Sequence, residues 1–286
     1  MRKSIHDEIV WGVPPSDNIS LDDCEWYHIM EVPGVDGLTA GVFDVRSDIS
    51  NIFGNLDFKD KKVLNLGPST GYLSFEAERR GADVTSIDLS VDSEERDWVL
   101  QQNVDWRKNL TSFMADEKRR RNAFWFAHKA LKSKSKLIIS NIKNLPTKVE
   151  THDIGVIFSV LLHLRDPYLA LMRMCSHVNE KIVITELGGY SVKPSLKNFI
   201  PNSIRKILGI KRSPLMIFLP KFGKIASVWW KFSPEMIMKM LEMLGFGKFT
   251  VNYHYYLDNE KKKVFNFTVV GTRTTPLDEC DYNFED

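Results

Sequence analysis

The stretch VLNLGPSTG, residues 63–71, decides the fold, and a second apolar stretch that ends at Asp88 follows it. Residues 63–66 predict a short buried strand, 67–71 a tight turn of small residues, 72–80 a helix and 84–87 a second strand. In such a β-α-β unit, backbone N–H groups at the helix N-terminus approach an anionic group, and a carboxylate after the second strand accepts hydrogen bonds from ribose hydroxyls. The unit therefore predicts a nucleoside-cofactor site.

The spacing of the glycines indicates which cofactor is expected. Asp88 lies 17 positions after Gly71, close to the offset of about 20 residues typical of a ribose-binding carboxylate. A dinucleotide site requires G-x-G-x-x-G, whereas the turn here reads G-P-S-T-G and lacks the third glycine. A nicotinamide-dependent dehydrogenase is therefore disfavoured.

This turn resembles the first motif of class I S-adenosylmethionine (SAM) methyltransferases, in which an acidic residue and an apolar residue precede G-x-G-x-G. The chain departs from that form at two positions: Asn65 replaces the acidic residue, and Ser69 replaces the middle glycine. The resemblance implies a set of cofactor-binding residues: Asn65, Gly67, Pro68, Ser69, Thr70, Gly71, Asp88, Leu89, Asn141, Ile142 and Ser159.

The resemblance continues along residues 60–271. FSVLLHLRDP, residues 158–167, is similar to a stretch of the enzymes that convert the wobble uridine of tRNA to its oxyacetic acid form, and WWKFSPEMIMKMLEMLGF, residues 229–246, resembles the same relatives. The resemblance implies an α/β, Rossmann-like, seven-stranded methyltransferase sheet. That sheet is mostly parallel, has a C-terminal antiparallel hairpin, and carries helices on both faces.

Three domain regions are expected. Residues 1–58 form an N-terminal extension that covers the active site, residues 59–272 form the SAM-binding domain with a basic insertion at about 187–232, and residues 273–286 form an acidic tail. The acceptor-contact candidates are Trp26, Tyr27, His28, Arg46 and Trp229. An alternative is that Trp26 and Tyr27 pack on the sheet edge and that Arg46 pairs with Asp44 or Asp48.

Three polar residues are candidates for chemistry. His163 ends the stretch FSVLLH, residues 158–163, and it is a candidate base because the C-terminal ends of strands face the ligand crevice in open α/β sheets. Glu186 is a second candidate base by the same rule, and Arg165 is placed to hold a carboxylate or phosphate. The structural alternatives are a capping or core histidine and an Arg165–Asp166 pair.

Two stretches are strongly basic. Residues 118–136 contain eight Lys or Arg and no Asp or Glu, and we interpret this stretch as a solvated helix face with inward aromatics. Residues 187–232 contain nine Lys or Arg and no acidic residue. Three interpretations of this second stretch compete, in this order: a cap over an anionic substrate, a groove for an RNA backbone, and a surface that contacts anionic lipid. With a net charge of +2 and a pI of about 8.3, the chain is less basic than an RNA-binding domain tends to be.

Length and composition set limits on the core size, the compartment and the metal content that we expect. The chain has 286 residues, of which 43% are hydrophobic, so it can bury one sizeable core. We expect a cytoplasmic protein, because the N-terminus lacks a secretory pattern and no apolar run approaches the roughly 20 residues of a membrane span. The three cysteines are distant from one another and form no zinc signature, so no metal is expected. A DNA partner is not expected either.

These observations favour a SAM-dependent methyltransferase that yields S-adenosylhomocysteine (SAH). The expected acceptor is an oxygen or nitrogen of a small, anionic metabolite or a glycan intermediate. One alternative is a tRNA wobble-uridine modifier that uses a carboxylated SAM. Another is a non-catalytic SAM-binding partner subunit, motivated by Asn65 and Ser69.

Overall fold

The computed structural model describes residues 8–93, 106–188, 213–219 and 228–282, and within residues 106–113 it describes the backbone alone. The strands are β1 Phe43–Asp44, β2 Lys62–Leu66, β3 Asp83–Asp88, β4 Lys136–Ile139, β5 His152–Phe158, β6 Val178–Leu187, β7 Met216–Phe218, β8 Trp230–Phe232, β9 Phe246–Asp258 and β10 Lys263–Arg273. The α-helices are α1 Ile49–Ile52, α2 Tyr72–Arg79, α3 Trp106–Ala130, α4 Pro167–Cys175 and α5 Pro234–Met243.

Eight strands form one sheet in the order β1-β9-β10-β6-β5-β2-β3-β4. The five strands β6, β5, β2, β3 and β4 are parallel to one another, and β10 pairs antiparallel with both β6 and β9. The predicted Rossmann-like sheet with its C-terminal hairpin is confirmed. The predicted count of seven strands is exceeded because β1, from the N-terminal segment, adds to the edge at β9.

The central strands are apolar because helices cover both of their faces. On one face, Leu64 and Ile157 are fully buried in a cluster that includes residues of α4 and α5. On the other face, Val63 and Val156 pack in a cluster with residues of α1 and α2. From β2 the chain builds β3 and β4 on one side and then returns to build β5 and β6 on the other side. Ligands bind at this switch point, between β2 and β5, in open sheets of this class.

Two helices begin at the N-caps that the sequence predicts. The Asp166 carboxylate accepts a hydrogen bond from the Leu169 N–H at 2.9 Å, and Pro167 follows in the first turn of α4. The Ser233 hydroxyl accepts from the Met236 N–H at 3.2 Å at the start of α5. Both caps use a side-chain oxygen to satisfy a backbone N–H that has no partner within the helix.

The N-terminal segment is fastened to the sheet at both edges. Trp11 bridges Ile138 in β4 at one edge, and at the other edge β1 pairs with β9. A buried hydrogen bond between Asp48 and His254 joins the segment to β9 a second time. Most of the predicted basic insertion at residues 187–232 lies outside the described residues; within it, β7 and β8 form a separate antiparallel pair. In the described part of the chain, no helix is both long and apolar enough to cross a membrane.

Candidate functional site

A cavity of about 390 Å³ lies at the carboxyl ends of β2, β3, β4 and β5. Its volume falls within the roughly 300–1,000 Å³ of small-molecule sites. The lining residues come from the sheet ends, from α3 and from the N-terminal segment: Tyr27, His28, Asn65, Leu66, Gly67, Pro68, Ser69, Leu73, Ile87, Asp88, Leu89, Glu117, Arg120, Ser140, Asn141, Ile142, Phe158, Ser159, Val160, His163, Leu164 and Tyr256.

The turn after β2 presents bare main chain to the cavity. Gly67 has φ of +71° and Ser69 has φ of +52°, both in the left-handed region. A Cβ atom on Gly67 would lie 2.8 Å from Val160 Cγ2, so a side chain at this position would collide with the neighbouring loop. Thr70 is fully buried, and its hydroxyl accepts a hydrogen bond from the His28 N–H at 3.4 Å. The turn is therefore open to a ligand rather than filled by its own threonine.

Asn65 belongs to a neutral hydrogen-bond network beneath the turn. Its amide nitrogen donates to Ser74 Oγ at 2.9 Å, and Ser74 Oγ lies 2.9 Å from Ser86 Oγ. All three side chains are buried. An amide therefore takes part in this network at the position where the related motif has an acidic residue.

Asp88 lies at the end of β3, on the cavity wall. One carboxylate oxygen accepts from the Leu89 N–H at 2.9 Å, and the other lies 2.9 Å from Arg121 Nη2. Arg121 also donates to the Leu89 carbonyl at 3.1 Å. The carboxylate is therefore held in a fixed orientation by a residue of α3.

Most of the basic stretch at residues 118–136 is solvated as the sequence indicates: six of its eight basic residues are exposed, and Phe124 and Trp125 are buried. Two arginines differ. The side chains of Arg120 and Arg121 are only 25% and 12% exposed, because both are engaged in ion pairs. Arg120 pairs with Glu117 at 2.6 Å and with Glu25 at 3.4 Å. Arg120 and Glu117 line the cavity, and the sequence analysis missed both. In the sequence, the i, i+3 spacing of Glu117 and Arg120 could have indicated an ion pair between them.

Aromatic side chains form another part of the cavity wall. Tyr27 and His28 come from the N-terminal segment, Phe158 from the end of β5 and Tyr256 from β9. His28 is 3% exposed, and neither of its ring nitrogens has a hydrogen-bond partner among the described residues. Burial lowers the pKa of His28 to about 3, so its imidazole is neutral.

The candidate bases have different surroundings. His163 is half-buried and lines the cavity at the end of a short 3-10 helix, Leu161–His163. Glu186 is buried and lies outside the lining; its Oε1 accepts from the Leu161 N–H at 2.9 Å. Burial raises the pKa of Glu186 to about 8, against the lowering effect of backbone donors at the start of that helix. Glu186 thus supports the loop that carries His163.

The other candidate residues lie away from the cavity lining. The Arg165 guanidinium is exposed and lies 5.8 Å from the centre of the Trp229 ring. Trp26 is buried and packs edge-on against Phe126, and Arg46 binds Asp44 through two hydrogen bonds of 2.8 and 2.9 Å. Of the predicted cofactor residues, Thr70 and Gly71 shape the turn without lining the cavity, and the others line it.

Comparisons with known proteins identify the fold. No family model matches the chain. EEF1A lysine methyltransferase 3 of Mus musculus is 39% identical over 70 residues, which are 24% of this chain and only 28% of that protein. The N-terminal domain of EvdMO1, solved in the presence of SAH and D-fucose, has a TM-score of 0.51 at 15% identity over 88% of this chain and 93% of that chain. Magnesium protoporphyrin IX methyltransferase from Synechocystis, solved with SAH, has a TM-score of 0.48 at 14% identity over 80% of this chain and 82% of that chain. The fold is that of class I SAM-dependent methyltransferases.

Proposed function

We propose that this chain is a SAM-dependent methyltransferase acting on an oxygen or nitrogen of a small molecule. One observation carries the proposal: the bare turn at Gly67 and the fixed carboxylate of Asp88 lie on the same cavity. A strand-to-helix turn that begins and ends with glycine and a carboxylate after the next strand together suit a nucleoside. The fold supports this proposal, and the acceptor is argued from the cavity itself.

The lining residues fit such a cofactor. Asp88 is the proposed partner of the ribose hydroxyls, and Ile142 and Leu89 supply apolar surface for the adenine ring. Because the Asn65 amide nitrogen is engaged with Ser74, its oxygen is the atom that would face the amino group of the methionine moiety. When bound, SAM supplies a methyl group on a positively charged sulfur.

The residues of the chain itself would position the acceptor and remove its proton. Displacement at a methyl carbon requires little covalent help, and correct positioning alone supplies roughly 7–11 kcal/mol. The N-terminal segment, through Tyr27 and His28, encloses one side of the cavity and limits the entry of water. His163 is half-buried and lines the cavity, so we assign to it the proton that an O–H or N–H acceptor releases.

The described lining does not favour an anionic acceptor. Its charged residues are Asp88, Glu117 and Arg120, and Arg120 is already paired with two carboxylates. The expectation of an anionic metabolite, glycan intermediate, RNA or lipid surface depends on the basic stretch at residues 187–232, most of which lies outside the described residues. The cavity of about 390 Å³ suits a small molecule, and we assign the acceptor to that class.

Isothermal titration calorimetry with SAM and SAH tests the proposal. We expect both to bind, and Asp88→Asn to weaken SAH at least tenfold, because the carboxylate is the proposed ribose partner. Asp83→Asn is the matched control, since Asp83 lies at the opposite end of β3, 3.9 Å from Lys136 at the surface. Failure of both compounds to bind at millimolar concentration would overturn the proposal.

A further inference from the structure

The aromatic wall of the cavity is a closed group of rings. Tyr27 lies 5.0 Å from His28, His28 lies 6.1 Å from Phe158, and Phe158 lies 5.8 Å from Tyr256, centre to centre. Phe43 completes the group, and its ring centre lies 5.1 Å from that of Tyr27 and 5.6 Å from that of Tyr256. Four of the five rings line the cavity, so this wall presents flat apolar surface to a ligand in the cavity.

The polar atoms of this wall are the ring nitrogens of His28 and the hydroxyls of Tyr27 and Tyr256, and hydrogen bonds of the His28 backbone hold that residue in place. Its N–H donates to Thr70 Oγ1, and its carbonyl accepts from Thr39 Oγ1 at 3.0 Å. A Cβ atom on Gly41 would lie 2.2 Å from the His28 carbonyl carbon, so the backbone of the segment before β1 passes in direct contact with His28. A buried imidazole without partners among the described residues is costly unless a ligand supplies the hydrogen bond.

The wall carries no charge. Burial lowers the pKa of His28 and raises those of Tyr27 and Tyr256, so all three side chains are neutral near pH 7. The charged residues of the lining belong to α3 and β3, where Glu117 and Asp88 are paired with arginines. The Arg120 guanidinium lies 5.7 Å from the centre of the Tyr27 ring, but it is already paired with Glu117 and Glu25. A net charge placed against this wall would therefore lose hydration and find only counter-ions that are already paired.

We propose that Tyr27, His28, Phe158 and Tyr256 form the acceptor subsite, and that it takes a planar, uncharged ring compound bearing an O–H or N–H group. The rings stack on or meet the edge of the acceptor, and His28 accepts or donates one hydrogen bond that fixes its orientation. This assignment rests on the proposed function, because it names the acceptor class of that same cavity.

Ligand-observed NMR with three single-ring probes tests the assignment: phenol, benzoate and benzylammonium, each measured with and without SAH. Phenol is expected to bind at least fivefold more tightly than either charged probe. His28→Phe keeps the ring and removes its nitrogens, so it should weaken phenol at least fivefold. Phe158→Leu, which opens the wall, should weaken it at least threefold. Trp26→Phe is the control and should change nothing, because Trp26 lies in the same segment outside the cavity lining.

The outcomes separate the two proposals. If SAH binds while benzoate or benzylammonium matches phenol, or while His28→Phe leaves phenol unchanged, the acceptor assignment is wrong and the methyltransferase proposal stands. If SAH does not bind but phenol binds and responds to His28→Phe, the subsite stands and the cofactor proposal fails. Thermal melts of each variant confirm that it is folded.

Discussion

Arg121 of α3 places a guanidinium nitrogen 2.9 Å from the carboxylate of Asp88, at the end of β3. The same nitrogen donates to the Leu89 carbonyl at 3.1 Å, so one arginine holds both the carboxylate and the backbone that follows it. The Arg121 side chain is 12% exposed and that of Asp88 is 23% exposed, which limits the screening of the pair by water. The helix therefore sets the orientation of the proposed ribose ligand.

We expect Arg121→Gln to weaken SAH about five- to tenfold, or about 1–1.4 kcal/mol, because Asp88 loses a charge-assisted partner. Calorimetry measures the effect. Arg119→Gln is the control, since Arg119 donates to the Cys24 carbonyl at 3.0 Å and does not line the cavity. Tighter binding of SAH by Arg121→Gln would mean that the arginine competes with the ligand for Asp88, contrary to the orientation argument.

The parts of the fold with local signals were predictable from the sequence. The turn at residues 67–71, the N-caps Asp166 and Ser233, and the C-terminal hairpin depend on neighbouring residues and on alternation. The sequence thus placed Gly67 and Asp88 at one end of the sheet, and the structure puts both on the cavity wall.

Contacts between distant segments could not be predicted in this way. Glu117 and Arg120 line the cavity because α3 packs against the N-terminal segment, where Glu25 pairs with Arg120 from 95 positions away. Tyr256 of β9 lines the cavity beside Tyr27 and His28 of the N-terminal segment, which are distant from it in the sequence. Neither arrangement can be predicted from the charges or the apolar alternation within one window of sequence.

Gly67→Ala tests whether the turn must be bare. We expect it to destabilise the protein by about 1–2 kcal/mol and to weaken SAH at least tenfold, since the new Cβ meets Val160 at 2.8 Å and φ is +71°. Adding Val160→Ala removes the collision but not the backbone strain. The double variant should therefore recover part of the binding, as measured by calorimetry and urea unfolding. Binding equal to that of the unaltered protein in Gly67→Ala alone would show that the ligand does not approach this turn.

Glu186 should make stability depend on pH. Its folded pKa is raised to about 8 from the usual 4.5, so the folded protein keeps a proton that the unfolded chain loses. Stability is then highest below about pH 4.5 for this group and falls as the pH rises toward 8. Since one pKa unit corresponds to about 1.4 kcal/mol, we expect a loss of at least about 2 kcal/mol between pH 5 and pH 8.

Urea unfolding of the unaltered protein and of Glu186→Gln across this pH range measures the effect. Glutamine keeps the size and the accepting oxygen but does not ionise, so the variant should be less sensitive to pH by at least about 2 kcal/mol. Glu150→Gln is the control, because Glu150 pairs with Lys62 at the exposed surface. Parallel pH profiles for the unaltered protein and Glu186→Gln would contradict the assignment.

Asp48 and His254 should contribute to stability rather than to binding. Both are buried, His254 joins Asp48 to Thr268 through its two ring nitrogens, and Asn51 donates to the other Asp48 oxygen at 2.8 Å. Asp48→Ala leaves Nδ1 of the buried His254 without its partner and removes an acceptor from the half-buried Asn51, so we expect a loss of about 2–4 kcal/mol in the free energy of unfolding. Asp44→Ala is the matched control, because its arginine partner, Arg46, is 33% exposed and such surface pairs contribute about 0–1 kcal/mol. Urea unfolding measures both losses. Equal losses from the two variants would mean that burial does not determine how much each carboxylate contributes to stability.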